Sequence, residues 1–325
     1  MIGVRTPFRV GLVGGGSDMR KFYLKHPGCV VSTSINKYMH VIVHKSFDDK
    51  IHLKYGQIES TMSIDKIEHP LIRSVLEKFN LTGVDITSVA DVPPGTGLGS
   101  SSSFMVSILH AIYAYVGETV SKERLAREAC DIEIDLLDGP LGKQDQYAAA
   151  YGGLNRITFH SDEKVTVEPL DLSPTAYRDL EESLVMFYIG GERDARIVLA
   201  DQQKNFSEDE EKFQDMVKLT ELANDFCNSL VAGNIQDCGE ILHQGWLLKR
   251  RQSQQISSPS IDRHYDLAMK CGAWGGKLLG AGGGGFMAFL CPPEKQDDLH
   301  SALSDLRPFP VRFENQGTTL LFEDE

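Results

Sequence analysis

The stretch Pro93-Pro94-Gly95-Thr96-Gly97-Leu98-Gly99-Ser100-Ser101-Ser102-Ser103 sets three alternating glycines directly before four hydroxyls. Glycines lack Cβ atoms, so the backbone can bend sharply and bring its N–H groups close to an anion. A helix starting at the serines would aim its N-terminal donors and the positive end of its dipole at the same point. The flanks are those of an ordered segment, not of a Gly/Ser linker. Upstream, Val84-Asp85-Ile86-Thr87-Ser88-Val89-Ala90-Asp91-Val92 is β-branched and partly alternating, which predicts a strand. Downstream, Phe104, Met105, Ile108, Leu109, Ile112, Tyr113 and Val116 recur at helical spacing. The loop therefore joins a strand to a helix and reads as a phosphate cradle. It is not a Walker loop, because no lysine follows Gly99. Glycines at 95, 97 and 99 also fail the third-glycine spacing of the dinucleotide fingerprint.

The chain has 325 residues, of which 41% are hydrophobic and 24% charged, the make-up of an ordinary soluble protein with ample material for a core. Its formal charge of -13 disfavours nucleic acid or an anionic membrane as partner, so a phosphate ligand must meet locally placed cations. Met1 to Pro7 lacks the basic start and apolar run of a signal peptide, and no segment has the length of a membrane span. Cys29, Cys130, Cys227, Cys238, Cys271 and Cys291 form no C-x-x-C pair, which predicts reduced thiols in a cytoplasmic protein. His40 and His44 lie in an alternating, strand-like run, which argues against a zinc pair.

The first third predicts strands at residues 8–13, 30–34, 38–44 and 51–55, broken by turn residues. Ser121 is a plausible cap for a helix running to about residue 134, and a strand pair is expected at residues 154–159 and 165–169. A composition shift at Ser173 marks a boundary, followed by long helical patterns over residues 193–270. The acidic run Ser207-Glu208-Asp209-Glu210-Glu211 reads as a capped helix start. Two further glycine clusters adjoin strands: Gly14-Gly15-Gly16-Ser17-Asp18, and residues 275–285 before Phe286 to Leu290. Four consecutive glycines at 282–285 point to a close approach by ligand or backbone.

Three motifs in order, Thr6 to Asp18, Pro94 to Ser102 and Lys277 to Gly285, resemble the GHMP kinase family of small-molecule kinases over almost the whole chain. Gly14 to Asp18 and Gly142-Lys143-Gln144-Asp145-Gln146-Tyr147 are similar to the family's sugar 1-kinases that act on D-glycero-D-manno-heptose 7-phosphate. The resemblance implies an α+β fold of two domains. Residues 1–172 would form a nucleotide-binding domain like domain 2 of ribosomal protein S5, and residues 173–325 a ferredoxin-like domain.

By the same resemblance Pro94, Gly95, Gly97, Leu98, Gly99, Ser100, Ser101 and Ser102 wrap the phosphates of ATP, and Ser101 with Glu133 holds Mg2+. A hard cation held by one or two protein oxygens fits that role. Asp131, Glu133 and Asp135 alternate, so a helix would aim them in different directions and the register stays open. Asp145 matches the catalytic aspartate and Arg9 the cation beside it. Asp18 resembles the residue that accepts hydrogen bonds from sugar hydroxyls, with Gly15, Gly16 and Ser17 beside it and Gly282 and Gly283 as further substrate contacts. Lys143 and Arg193 are candidates for a distal phosphate, whereas Arg196 reads as helix-surface charge.

The function so implied is transfer of phosphate from ATP to the anomeric (C1) hydroxyl of a heptose 7-phosphate, giving the 1,7-bisphosphate. The rivals are a 1-kinase for an unphosphorylated sugar such as fucose, galactose or a uronic acid, and a non-catalytic sugar or nucleotide sensor. The expected partners are ATP and a sugar or sugar phosphate.

Overall fold

In the computed structural model, which describes residues 1–191 and 195–324, the chain builds two β-sheets flanked by helices. The larger sheet opens with β1 (Ile2–Val13) antiparallel to β2 (Gly28–Lys45). One arm adds β3 (Ile51–Lys54), β4 (Ile58–Thr61) and β5 (Val84–Ala90); the other adds β6 (Leu154–Phe159) and β7 (Val165–Pro169). β2 runs unbroken for 18 residues where the sequence predicts two strands. Its residues 28–33 pair with β6 and its residues 39–45 with β5, so one strand serves both arms. A register shift between Pro7 and Phe8 of β1 absorbs the irregularity opposite the apparent break.

The helices of this half are α1 (Arg20–Tyr23), α2 (Pro70–Phe79), α3 (Ser100–Tyr115), α4 (Lys122–Cys130) and α5 (Gln144–Tyr151). α3 is apolar nearly all round because it is covered on opposite sides, by β1 and β2 and by α4 and α5. Its N-terminus is pinned to the middle of β1, Ser103 Oγ donating to Pro7 O at 3.1 Å and Arg9 N to Leu98 O at 3.1 Å.

The second half begins with α6 (Pro174–Ser183), whose Ser173 cap accepts from Ala176 N at 3.1 Å. The smaller antiparallel sheet is ordered β11 (Arg307–Pro308), β8 (Leu184–Gly190), β10 (Gly285–Leu290) and β9 (Gly275–Leu278). Around it lie α7 (Ala195–Glu208), α8 (Glu210–Val231), α9 (Ile235–Gln252), α10 (Pro259–Lys270) and α11 (Gln296–Ala302). The acidic run does start a helix: Asp209 Oδ1 accepts from Glu211 N at 2.9 Å and from Lys212 N at 3.3 Å.

The last strand, β12 (Thr319–Glu323), leaves this half and pairs with β1. Thr318 anchors it, accepting from Thr6 Oγ1 at 2.8 Å, while Thr6 accepts from Ser107 of α3 at 2.6 Å. The expected division at residue 173 therefore needs one amendment, since the C-terminal strand belongs to the first sheet. The six cysteines are free thiols, all buried except the half-buried Cys271. Among the described residues no helix is long and apolar enough to cross a membrane.

Candidate active site

β1 ends at Gly14, and a tight turn, Ser17 N to Gly14 O at 3.1 Å, delivers Asp18. Asp18 is buried; its Oδ1 accepts from Gly16 N at 2.9 Å and its Oδ2 from Gln144 N at 3.1 Å. Burial pushes its carboxyl up, the Gln144 N–H pulls it back, and the charge of Asp145 adds to the rise. A Cβ at Gly142 would stand 1.9 Å from Asp18 Oδ2, so only glycine leaves room for this carboxylate.

Asp145 stands in the first turn of α5, where the helix end favours a carboxylate. Arg9 of β1 grips it twice, Nε donating to Oδ1 at 2.8 Å and Nη2 to Oδ2 at 2.7 Å. Nη1 donates to Gly97 O at 2.6 Å, so a single guanidinium joins the aspartate to the first glycine loop. Gln144 Nε2 donates to Asp145 Oδ1 at 3.0 Å. This fork fixes the carboxylate plane. Arg9 is buried, while the Asp145 side chain keeps 27% of its surface exposed toward the cavity.

α3 starts behind Gly99, which adopts φ 75°, and no side chain caps it. Its first amides are thus left for a ligand. Ser101 Oγ donates to Glu133 Oε1 at 2.7 Å, and Gln146 Nε2 donates to Glu133 Oε2 at 2.7 Å. Glu133 lies on a π-helical segment, Asp131–Leu136, that follows α4. The wide turn settles the register: Glu133 is buried against Ser101, while Asp131 and Asp135 line a neighbouring cleft and Asp135 pairs with Arg20. Burial pushes the Glu133 carboxyl up, opposed by hydrogen bonds from Ser101, Ser102 and Gln146. Gln146 Oε1 is buried beside it with no donor among the described residues.

The third glycine cluster meets the first backbone to backbone. A Cβ at Gly97 would lie 2.6 Å from Leu279 O, and one at Gly280 would lie 2.4 Å from Gly97 Cα. Both residues have positive φ, 86° and 71°. The cavity between the loops, about 180 Å3, is lined by Arg9, Gly15, Gly16, Asp18, Gly95, Gly97, Gly99, Ser100, Ser101, Ser102, Asp145 and Gly282. Leu98 is buried and gives its carbonyl to Arg9 N at 3.1 Å; Ser17 is buried with its hydroxyl on Cys29 O at 3.1 Å. Pro94 and Gly283 are not on the cavity wall, and Gly283 N donates to Ile256 O at 2.9 Å.

Lys143 does not enter this cavity. Its ammonium turns outward to Glu163 Oε2 at 2.5 Å and sits 4.9 Å above the Tyr23 ring. It lines a larger cleft of about 940 Å3 with Arg20, Asp131 and Asp135, away from the glycine loops. That cleft exceeds the first in volume, yet it lacks the glycine backbone and the Arg9–Asp145 pair, so size does not mark the chemistry here. Arg193 lies outside the described residues.

The model of the GHMP kinases N terminal domain matches residues 67–153, and that of the GHMP kinases C terminal domain matches residues 226–307. A D-glycero-alpha-D-manno-heptose 7-phosphate kinase of Campylobacter jejuni is 30% identical over 315 residues, covering 93% of each chain. The chain belongs to the GHMP kinase family. A bifunctional fucokinase/GDP-fucose pyrophosphorylase of Arabidopsis thaliana is 27% identical over 96% of this GHMP kinase, though that match spans only 32% of the plant protein. The crystal structure of a D-glycero-D-manno-heptose 1-phosphate kinase from Bacteroides thetaiotaomicron superposes with TM-score 0.82 at 26% identity, covering 100% of both chains. This GHMP kinase is an ATP-dependent phosphotransferase, and its two-sheet α+β fold is that of the family.

Four polar residues of the cavity wall received no role from the sequence: Gln144, Gln202, Lys249 and Lys277. Lys277 belongs to the third glycine motif, and its position there was the available clue. Lys249 is followed by Arg250 and Arg251, a run that looks like the solvated face of a helix.

Proposed function

We propose that this GHMP kinase transfers the γ-phosphoryl group of ATP to the anomeric hydroxyl of D-glycero-D-manno-heptose 7-phosphate, giving the 1,7-bisphosphate and ADP. The observation that carries the reading is the Arg9–Asp145 fork, open to a cavity with the uncapped N-terminus of α3 on one side and Asp18 on the other. The similarity to heptose kinases supports the choice of sugar.

Asp18 would accept hydrogen bonds from sugar hydroxyls and set the ring beside Asp145. Asp145 takes the proton of the attacking hydroxyl as its oxygen bonds to the γ-phosphorus and the bond to the bridging oxygen of ADP breaks. Arg9 holds Asp145 in plane, and the loop amides from Gly95 to Ser102 receive the charge that spreads over the transferring oxygens. Ser101 and Glu133 fit a hard cation. Both are oxygen donors, Glu133 is desolvated, and the donorless Gln146 Oε1 beside them suits a metal-bound water. Mg2+ held there would neutralise phosphate charge. A protein located in the cytoplasm would meet both substrates.

The test is ADP release by purified protein with Mg-ATP and the heptose 7-phosphate, beside free heptose, fucose, galactose and a uronic acid. Turnover of the phosphorylated heptose above all others is expected. No release above background with it sinks the substrate assignment, and binding without turnover of any sugar would favour the sensor reading.

A further inference from the structure

Two lysines stand in the cavity wall without a part in the chemistry above. Lys249 of α9 and Lys277 of β9 are 8% and 7% exposed. An ammonium carries three donors. Among the described residues each of these has one hydrogen-bond acceptor, a backbone carbonyl: Gly280 O at 2.6 Å for Lys249 and Leu12 O at 2.9 Å for Lys277. The next residues of α9 are served differently, since Arg250 pairs with Asp262 at 2.8 Å and Arg251 with Asp215 at 2.7 Å. Lys249 and Lys277 have no carboxylate ion-pair partner among the described residues. Burying a cation without a counter-ion is expensive, so a pair of them in one cavity wall of a chain with formal charge -13 calls for an anion. Burial lowers both ammonium groups below the usual lysine range, Arg9 and, for Lys277, the neighbouring Lys249 adding to the fall, while Asp18 and Asp145 pull Lys249 only part of the way back; an arriving anion would reverse the shift.

Position tells which anion. Lys277 reaches under β1 to Leu12, just ahead of the turn that carries Gly15, Gly16 and Asp18. Both lysines also line a recess with Gly14 and Gly15 in which no residue of α3 takes part, although Lys249 is held by Gly280, which packs on Gly97. They thus face the acceptor side of the cavity. Gln202 closes that side by donating from Nε2 to Ala281 O at 3.0 Å.

We propose that Lys249 and Lys277 form the subsite for a phosphate carried by the acceptor sugar, in place of the outward-turned Lys143. The proposal rests on the sugar-kinase reading and sharpens it, because it places the acceptor's negative group against the wall built by the C-terminal half.

The test compares wild type, Lys249→Met, Lys249→Arg and Lys277→Met for kcat and KM with heptose 7-phosphate and with the same heptose lacking the phosphate. The ratio of kcat/KM for phosphorylated over unphosphorylated acceptor should fall roughly 10- to 100-fold in each methionine variant, as expected for loss of a charge-assisted contact. Lys249→Arg should restore part of it. A ratio within about twofold of wild type would overturn the subsite, since the lysines would then serve both acceptors alike. A second measurement does not depend on the acceptor's identity. Inorganic phosphate is titrated calorimetrically into protein saturated with a non-hydrolysable ATP analogue, which occupies the donor loops. Binding to wild type but not to Lys249→Met is expected, and equal binding to both, or none to wild type, refutes the proposal. If wild type turns over no heptose yet binds phosphate through Lys249, the sugar assignment falls and the anion subsite stands.

Discussion

Replacing Lys249 by methionine should stabilise the free protein at neutral pH, although it removes a hydrogen-bonding group. Burial, with the charge of the nearby Arg9 and against the pull of Asp18 and Asp145, carries the ammonium from 10.5 to about 8. At pH 7 that shift costs the folded state about 3 kcal/mol. Methionine is a flexible apolar chain of similar length and avoids this cost. It leaves Gly280 O without the donor that now lies 2.6 Å away, a loss of roughly 1 to 2 kcal/mol. The net gain at pH 7 is therefore about 1 to 2 kcal/mol.

The sign reverses with pH. Between about 8 and 10.5 the unfolded chain binds the proton that folded Lys249 gives up, so wild-type stability rises through that window while the variant lacks the gain. The wild-type penalty shrinks through that window, so the advantage of the variant vanishes toward its upper end and the variant should be the weaker protein at pH 10. Urea unfolding followed by the fluorescence of Trp246 and Trp274 at pH 7 and pH 10 measures this. A variant less stable than wild type at pH 7, by the same amount at pH 10, would show that Lys249 is neither buried nor short of charge partners in solution.

Asp145→Asn keeps the side chain's size and one of the two acceptors for Arg9 but removes the base, and ADP release should drop by about 10^2- to 10^4-fold; near-full activity refutes the assigned role. Gly142→Ala puts a Cβ where Asp18 Oδ2 now lies, at 1.9 Å, so KM for the sugar should rise at least about tenfold with KM for ATP held within about twofold. Both constants moving together would argue against Asp18 as a sugar contact. Glu133→Gln retains partners for Ser101 and Gln146 but loses the charge, and the Mg2+ concentration for half-maximal rate should rise about tenfold or more. An unchanged Mg2+ titration would remove Glu133 from the cation site.

The three glycine loops, the strand pair at 154–159 and 165–169, and the Asp209 cap were legible because each depends on local chemistry: missing Cβ atoms, alternation, a side-chain oxygen before a helix. The continuity of β2 was not, because the irregularity at residues 34–38 is accommodated by a shift in its partner at Pro7/Phe8. The choice among Asp131, Glu133 and Asp135 turned on a π-helical segment that no 3.6-residue pattern encodes. Lys143 and Lys249 mark the limit most clearly. In the chain the first lies inside a motif and the second in a basic run, yet packing turns the first out to Glu163 and the second in to Gly280. Which face of α9 is buried is set by α8, β9 and β1, which it packs on together, and β1 lies far away in sequence.

The glycine loop that first reads as a phosphate cradle is also the joint between the halves of the molecule. Arg9 binds Gly97 O, Gly97 touches Gly280 with no side chain between them, and Gly280 O holds Lys249. A Walker loop carries its own lysine, whose reach follows from the loop's local fold. Here the cations come from β1, α9 and β9, and two glycine contacts keep them in register. If Lys249 and Lys277 hold the acceptor's phosphate as proposed, donor and acceptor charges are met by separate parts of the chain, and a change on the C-terminal wall would retune the acceptor. The same joint makes Gly97 and Gly280 the positions where a single methyl group would damage both sides at once, because either Cβ would force apart the backbones that align Arg9 with Lys249.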